Sequence, residues 1–274
     1  MKNNKLSNRN TESKPHLSPT QVNMFLRCPA QWYYRYVRGL KRPPSGAATL
    51  GSAVDSGITH NYRQKIESHQ DLALDEVLDA FSTDFEARKS ETLWGPEEKP
   101  SQVKDDGARV LSLYQGDVAP TVQPTAVQKR VELDMPNFAY RFVVVPDVVE
   151  RGSIIRDTKV VKRSPAKVEN APALAPAHQD QMVAYALAYR ATQERAEEGC
   201  VVDYLVRTKN TKLVQIPFRV TSSHLAYYKN LIGLVARQIE ALIFTPNRQN
   251  YLCTRRHCGY WEECEKDFGG VVRS

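Results

Sequence analysis

Residues 138–159 read FAYRFVVVPDVVERGSIIRDTK. The β-branched residues Val143, Val144, Val145, Val148, Val149, Ile154 and Ile155 argue for strands, and Arg151-Gly152 between them argues for a tight turn. One run ends in Asp147 and the next in Asp157-Thr158-Lys159. Side chains two apart on a strand point the same way, so Asp157 and Lys159 share a face. The hard oxygens of Asp147 and Asp157 suit Mg²⁺ or Mn²⁺, which stabilises phosphate charge and lowers the pKa of water. Lys159 would then orient that water or neutralise developing charge. Each part also has a plainer reading, since Pro-Asp is a common turn pair and an isolated D-x-K is commonly a surface ion pair.

Upstream of this stretch the chain is helical. Ser18-Pro19-Thr20-Gln21 puts Ser at an N-cap, Pro at the first helical position and Gln at the third, a capping-box signature, with Val22, Phe25 and Leu26 following on one face. Pro29 removes a donor and starts a second segment, QWYYRYVRGL, closed by Gly39. A Pro/Gly-rich loop then enters a helix carrying Val54, Ile58 and Tyr62. Amphipathic helices are predicted over 74–90 and 101–115.

From Ala126 alternation takes over. VQKRVELDM, YRFVVVPDVV and SIIRDTKVV read as three strands, the middle one expected to be central and buried. A loop at 163–176, a helix over about 177–197, the strands VVDYLVRT and LVQIPFRV, and a helix over about 222–244 complete the pattern. This order predicts an α/β fold with a mixed central sheet flanked by helices. We expect a disordered arm over 1–17 and a single domain over 18–264. Within that domain, 18–120 is mainly helical, 124–245 is the α/β core and 246–264 is a cysteine segment; 265–274 is a tail.

The 274 residues suffice for a sizeable core without disulfide staples. Lys and Arg outnumber Asp and Glu by 38 to 31, a net charge of +7 that favours an acidic partner, nucleic acid first. No apolar run long enough for a membrane span and no signal-peptide h-region occur, so a cytoplasmic protein without a membrane partner is expected. No G-x-x-x-x-G-K-[ST] occurs, which leaves no motor domain. Aromatic and basic residues interleave in QWYYRYVRGLKR over 31–42 and suit a single strand, although Trp32, Tyr33 and Tyr36 also read as core, and a mixture is expected; Lys162, Arg163, Lys167, Arg255 and Arg256 suit a strand as well. Of five cysteines, Cys200 reads as core, Cys28 stands alone, and Cys253, Cys258 and Cys264 fall within twelve residues, a pattern more often metal-binding than disulfide-forming in a reducing compartment.

Pro146-Asp147, nine residues, then Asp157-Thr158-Lys159 resembles the PD-(D/E)XK nuclease superfamily and, within it, the RecB-like branch that includes CRISPR-associated exonucleases. Gln181-Met-Val-Ala-Tyr185 resembles the Q-x3-Y motif of that branch, and residues four apart share a helical face. Arg27-Cys28-Pro29 with the three late cysteines resembles its iron–sulfur members, in which one early and three late cysteines hold a [4Fe-4S] cluster. Two departures stand out. Gly51-Ser-Ala-Val-Asp55 places Asp where the family usually has a His metal ligand, with His60 about 140° round the helix from it. The late spacing is C-x4-C-x5-C where C-x2-C-x5-C is usual.

The resemblance implies a restriction-endonuclease-like fold and a metal-dependent DNA exonuclease. Its catalytic residues would be Asp147, Asp157, Lys159, Gln181 and Tyr185, and its metal ligands Asp55, Asp147 and Asp157. Cys28, Cys253, Cys258 and Cys264 would hold the cluster, with structural Zn²⁺ as the alternative. The partners would be single-stranded DNA and recombination or CRISPR proteins. The alternative function is a DNA-binding or assembly protein of the same fold with weakened catalysis.

Overall fold

A computed structural model describes residues 15–135 and 137–274. The expected arm therefore lies outside the described residues up to 14, while His16–Leu17 form a short strand, β1, parallel to a later strand at Arg141-Phe142. Helix α1 (Pro19–Arg27) begins as its sequence predicts, with Ser18 Oγ accepting from the Gln21 amide at 3.3 Å. The reciprocal half of the capping box does not form. The Gln21 side chain donates to the His16 carbonyl and accepts from Trp32 Nε1, tying the strand, α1 and the next turn together. Helix α2 (Pro29–Trp32) runs on as a π-helical turn over Tyr33–Val37 and breaks at Gly39, whose φ of 67° suits glycine.

Helices α3 (Gly46–Ser68), α4 (Leu74–Lys89) and α5 (Pro100–Asp117) make a helical layer, with α4 and α5 within a residue or two of the predicted bounds. Val54, Ile58, Tyr62, Val77, Phe81, Phe85, Leu111 and Tyr114 form its apolar core.

The strand region departs from the expectation. VQKRVELDM begins on the last residue of β2 (Pro124–Val127) and contains β3 (Val131–Asp134), and YRFVVVPDVV spans two strands, β4 (Arg141–Val144) and β5 (Val148–Glu150). Strands β1, β4 and β3 form one sheet; β2 and β5 belong to another. Pro146 lacks the N–H that a continuing ladder needs, so the Val run is cut there and the chain changes sheets. The expected central strand is thus only the middle of the three-stranded sheet. The centre of the five-stranded sheet is β6 (Ile154–Val161).

The expected loop holds a small hairpin, β7 (Lys167–Val168) with β8 (Ala171–Pro172), before α6 (Pro176–Gln193). Strands β9 (Gly199–Val206) and β10 (Lys212–Phe218) complete the larger sheet, and α7 (Ser222–Glu240) follows. The order β10-β9-β6-β5-β2 is mixed, with β6 and β9 parallel and the other pairs antiparallel. The residues expected as a tail include the end of α8 (Trp261–Phe268) and the buried Val272.

Strand alternation divides β6 between two cores. Ile155 packs with Phe142, Val202, Tyr204 and residues of α1, α6 and α7, whereas Val160 faces the core of α3–α5. Asp157 and Lys159 share the parity of Ile155 and therefore point toward α6. Among the described residues no helix is long and apolar enough to cross a membrane.

Candidate active site

Antiparallel pairing of β5 and β6 aligns Val148 with Arg156 and Val149 with Ile155, a register that sets Asp147, just before β5, opposite Asp157. Asp157 is fully buried. Its Oδ1 accepts from Lys159 Nζ at 2.8 Å, while its Oδ2 lies 2.6 Å from the same ammonium yet outside hydrogen-bonding geometry, so that buried oxygen has an ionic neighbour but no hydrogen bond.

Helix α6 supplies the third side of the site. Gln181 Nε2 donates to Tyr185 Oη at 2.5 Å, and that hydroxyl reaches toward Asp147 Oδ1 at 3.4 Å and Asp157 Oδ1 at 3.5 Å. Asp55 reaches the site from α3, and Gln128 Nε2 donates to its Oδ2 at 2.6 Å. The Gln128 backbone amide donates to the Asp147 carbonyl at 2.9 Å, so this one residue ties Asp55 to the start of β5.

The electrostatics follow from burial and crowding. Burial, then Asp157, lifts the Asp147 pKa well above the carboxylate range. Asp55 is raised by burial and by Asp157, which outweigh the Gln128 bond. Burial opposes the charge of Lys159, but Asp157 and Asp147 more than offset it and its pKa ends above the ordinary lysine value. Burial and both aspartates also keep the Tyr185 phenol protonated. Three carboxylates thus crowd one ammonium, a constellation deficient in positive charge.

Two further residues were not anticipated. Gln128 follows β2 at a φ of 47°, in a polar stretch with no local signal. His178 had one: it lies three residues before Gln181 and seven before Tyr185, on the same helical face. Its Nδ1 is 2.7 Å from Tyr204 Oη, and Tyr204 is aligned with Lys159 across the β6–β9 pair. Burial, then Lys159, holds this imidazole below the usual histidine pKa. His60 lies elsewhere, lining a surface groove between α3 and α4 with Glu76 and Asp79.

Cys28, Cys253, Cys258 and Cys264 line one cavity away from the aspartates, with no disulfide among them. Cys28 closes α1 and opens α2, and Cys264 lies on α8. Three of the sulfurs accept N–H donors: Cys258 from Gln31 Nε2 at 3.2 Å, Cys28 from the Asn247 amide at 3.4 Å and Cys264 from Arg248 Nη2 at 3.5 Å. Cys200 is buried in the main core, where burial pushes its thiol up to about 12. Among the described residues no group of three or more His, Cys, Asp or Glu side chains is gathered so as to hold a metal ion as it stands.

Of the aromatics over 31–42, Trp32 and Tyr34 are core and Tyr36 is 40% exposed. Several cations expected to grip a strand have carboxylate partners: Arg38 with Asp267, Arg42 with Glu263, Lys162 with Glu98 and Arg255 with Glu265.

A family model described as the PD-(D/E)XK nuclease superfamily matches residues 16–265. No curated protein matches the chain. Among solved structures, that of a candidate exonuclease from Eubacterium rectale superposes with a TM-score of 0.57 at 15% identity, covering 88% of this chain and 86% of that one, a likeness of fold. A second, SSO0001, covers 92% of this chain and 96% of its own at 13% identity, but its TM-score of 0.36 carries no argument.

Proposed function

The chain belongs to the PD-(D/E)XK nuclease superfamily, and from that premise we propose that it is a divalent-metal-dependent DNA exonuclease of the RecB-like branch, acting on single-stranded ends. The observation that carries this reading is the meeting of Asp147, Asp157 and Lys159 in one buried site, with Asp157 Oδ2 lacking any hydrogen bond. Burying carboxylates beyond the number of available cations is costly unless a further positive charge joins them. A divalent cation is that charge, and all-oxygen donors suit Mg²⁺ or Mn²⁺.

Asp55, Asp147 and Asp157 would hold the cation. The chemistry it supplies is Lewis-acid stabilisation of the phosphoryl group and a lowered pKa for water. Lys159, kept charged by its aspartates, orients the attacking water and offsets charge building on the phosphate. Tyr185, kept protonated and fixed by Gln181, donates toward the same point. Gln128 holds Asp55 in position.

The test is hydrolysis of end-labelled single-stranded DNA with and without Mg²⁺ or Mn²⁺. Asp157→Ala and Lys159→Ala should each lower the rate by at least about 10²-fold, the usual cost of removing a group that stabilises transition-state charge. Undiminished cleavage in both would sink the nuclease reading. One observation favours the second reading, a DNA-binding protein with weakened catalysis: Asp55 replaces the customary His, and its Oδ2 is already engaged by Gln128. In that case wild-type protein binds the labelled strand and leaves it intact.

Within this reading the four cysteines are the proposed ligands of a [4Fe-4S] cluster. They share a cavity, and N–H donors to three of their sulfurs are the contacts that stabilise ligating thiolates. Four thiolates also suit tetrahedral Zn²⁺, which makes a colourless protein where [4Fe-4S] makes a brown one.

A further inference from the structure

A groove of about 650 Å³ lies beside the catalytic aspartates. It starts at Pro146, immediately before Asp147, and follows the β2–β5 side of the sheet and the C-terminal half of α6 to the Arg151-Gly152-Ser153 turn. Arg130 also lines the adjoining recess that contains Gln181 and Tyr185, so the groove borders the recess beside the aspartate site.

Lys129, Arg130, Arg151 and Arg195 line the groove, against Glu132 and Glu150. Glu150 is buried and its carboxylate is engaged by Arg156 at 2.6 Å. Glu132 pairs with Arg130 and Arg141. Lys129, Arg151 and Arg195 are exposed and have no carboxylate partner among the described residues. Arg38, Arg42, Lys162 and Arg255, by contrast, are already paired. An unpaired cation contributes its full charge to a polyanion, whereas a paired one must first give up its carboxylate.

The spacing identifies the ligand class. From Asp147 through β5 to Arg151 is four residues, about 13 Å of extended chain, and α6 from Tyr185 to its end at Gln193 rises about 12 Å. The pairing of Val127 with Val148 puts Lys129 near the Pro146 end, while Arg151 and Arg195 lie toward the far end; cations at both ends of such a length match the repeating charge of a phosphodiester backbone rather than one small anion. We propose that this groove seats a single nucleic-acid strand on the Asp147 side of the site, with Lys129, Arg151 and Arg195 on successive phosphates and Thr192 and Gln193 within the same wall. The proposal rests on the nuclease reading and adds where the strand lies.

Binding of a fluorescein-labelled single-stranded oligonucleotide to the full chain, followed by anisotropy in EDTA across a salt series, tests it. The K129Q/R151Q/R195Q variant should bind at least about tenfold more weakly at 0.1 M salt, with the log–log salt slope smaller by about 2, roughly 0.7 per lost contact. K209Q/K212Q/R219Q, which removes equal charge elsewhere on the surface, should stay within about twofold of wild type. All these side chains are exposed; should the triple variant nonetheless melt early, R151Q and R195Q alone serve, each lowering the slope by about 0.7. A triple variant that binds like wild type, or a control that weakens equally, overturns the groove assignment while leaving the nuclease reading intact. Wild-type protein that neither binds the strand nor cleaves it with metal overturns the nuclease reading beneath it.

Discussion

Arg156 precedes Asp157 and, by strand alternation, points to the opposite face of β6. There its guanidinium bridges Glu150 Oε1 at 2.6 Å and Asp203 Oδ2 at 2.7 Å, and Asp203 Oδ1 accepts from Gln215 at 2.8 Å. Burial opposes the charge of Arg156, yet Asp203, Tyr114 and Glu150 more than offset it. Deleting the guanidinium strands two buried carboxylates, so Arg156→Ala should cost about 3–5 kcal/mol in urea unfolding. Asp157→Ala leaves behind only Lys159, whose side chain is 23% exposed and can turn to water, so it should cost clearly less. If the two losses are equal, the division of labour between the faces of β6 is wrong. Period-two alternation sets the face of Arg156 relative to Asp157, but neither of its partners was read from the sequence. Asp203, 47 residues away, left no local trace, and neither did the grip of Gln128 on Asp55.

At the scale of elements, the helices were legible because a 3.6-residue apolar period shows which face is buried without knowledge of the neighbour. Strands depend on partners, which alternation does not name. The breaks after Val127 and Val144 therefore went unseen, although Pro146 was a written signal for the second. What the helical period also omits is how closely helices approach. A Cβ on Gly57 of α3 would lie 3.0 Å from the Val77 carbonyl of α4 and 2.8 Å from Leu111 Cδ2 of α5, whereas one on Gly116 of α5 meets nothing within 4 Å. Ala is the better helix former by about 1 kcal/mol at both sites, but overpacking costs about 1–3 kcal/mol where backbone is the obstacle. Gly116→Ala should raise the melting temperature and Gly57→Ala should lower it. A Gly57→Ala protein as stable as wild type would show that α3 and α4 are not held at this distance.

Across the whole molecule, the first and last parts of the described chain are fastened together. The fastening has protein contacts of its own: Tyr34 Oη and Arg38 Nη1 both donate to Asp267, Tyr260 Oη donates to the Leu40 carbonyl at 2.8 Å, and the Tyr34 and Tyr260 rings stack with centroids 5.7 Å apart. These form a small satellite core with Ala30, Cys258 and Cys264, separate from the two main cores. It is the smallest of the three apolar clusters among the described residues, so a bound cluster or zinc would add stability there. Protein purified without air should carry iron and sulfide, or zinc, in stoichiometric amount, and Cys264→Ser should lose it. The loss should lower the melting temperature by about 2–8 °C, the shift that 1–2 kcal/mol produces in a domain of this size. It should also open the segment between Phe244 and Cys253 to limited proteolysis before the main cores yield. Asp267→Ala is the control, since it removes the polar contacts to Tyr34 and Arg38 but no thiol, and it should keep its metal. Wild-type protein with neither iron nor zinc, melting at the same temperature as Cys264→Ser, would mean that the aromatic and polar contacts alone join the two ends and that the four thiols are packing residues.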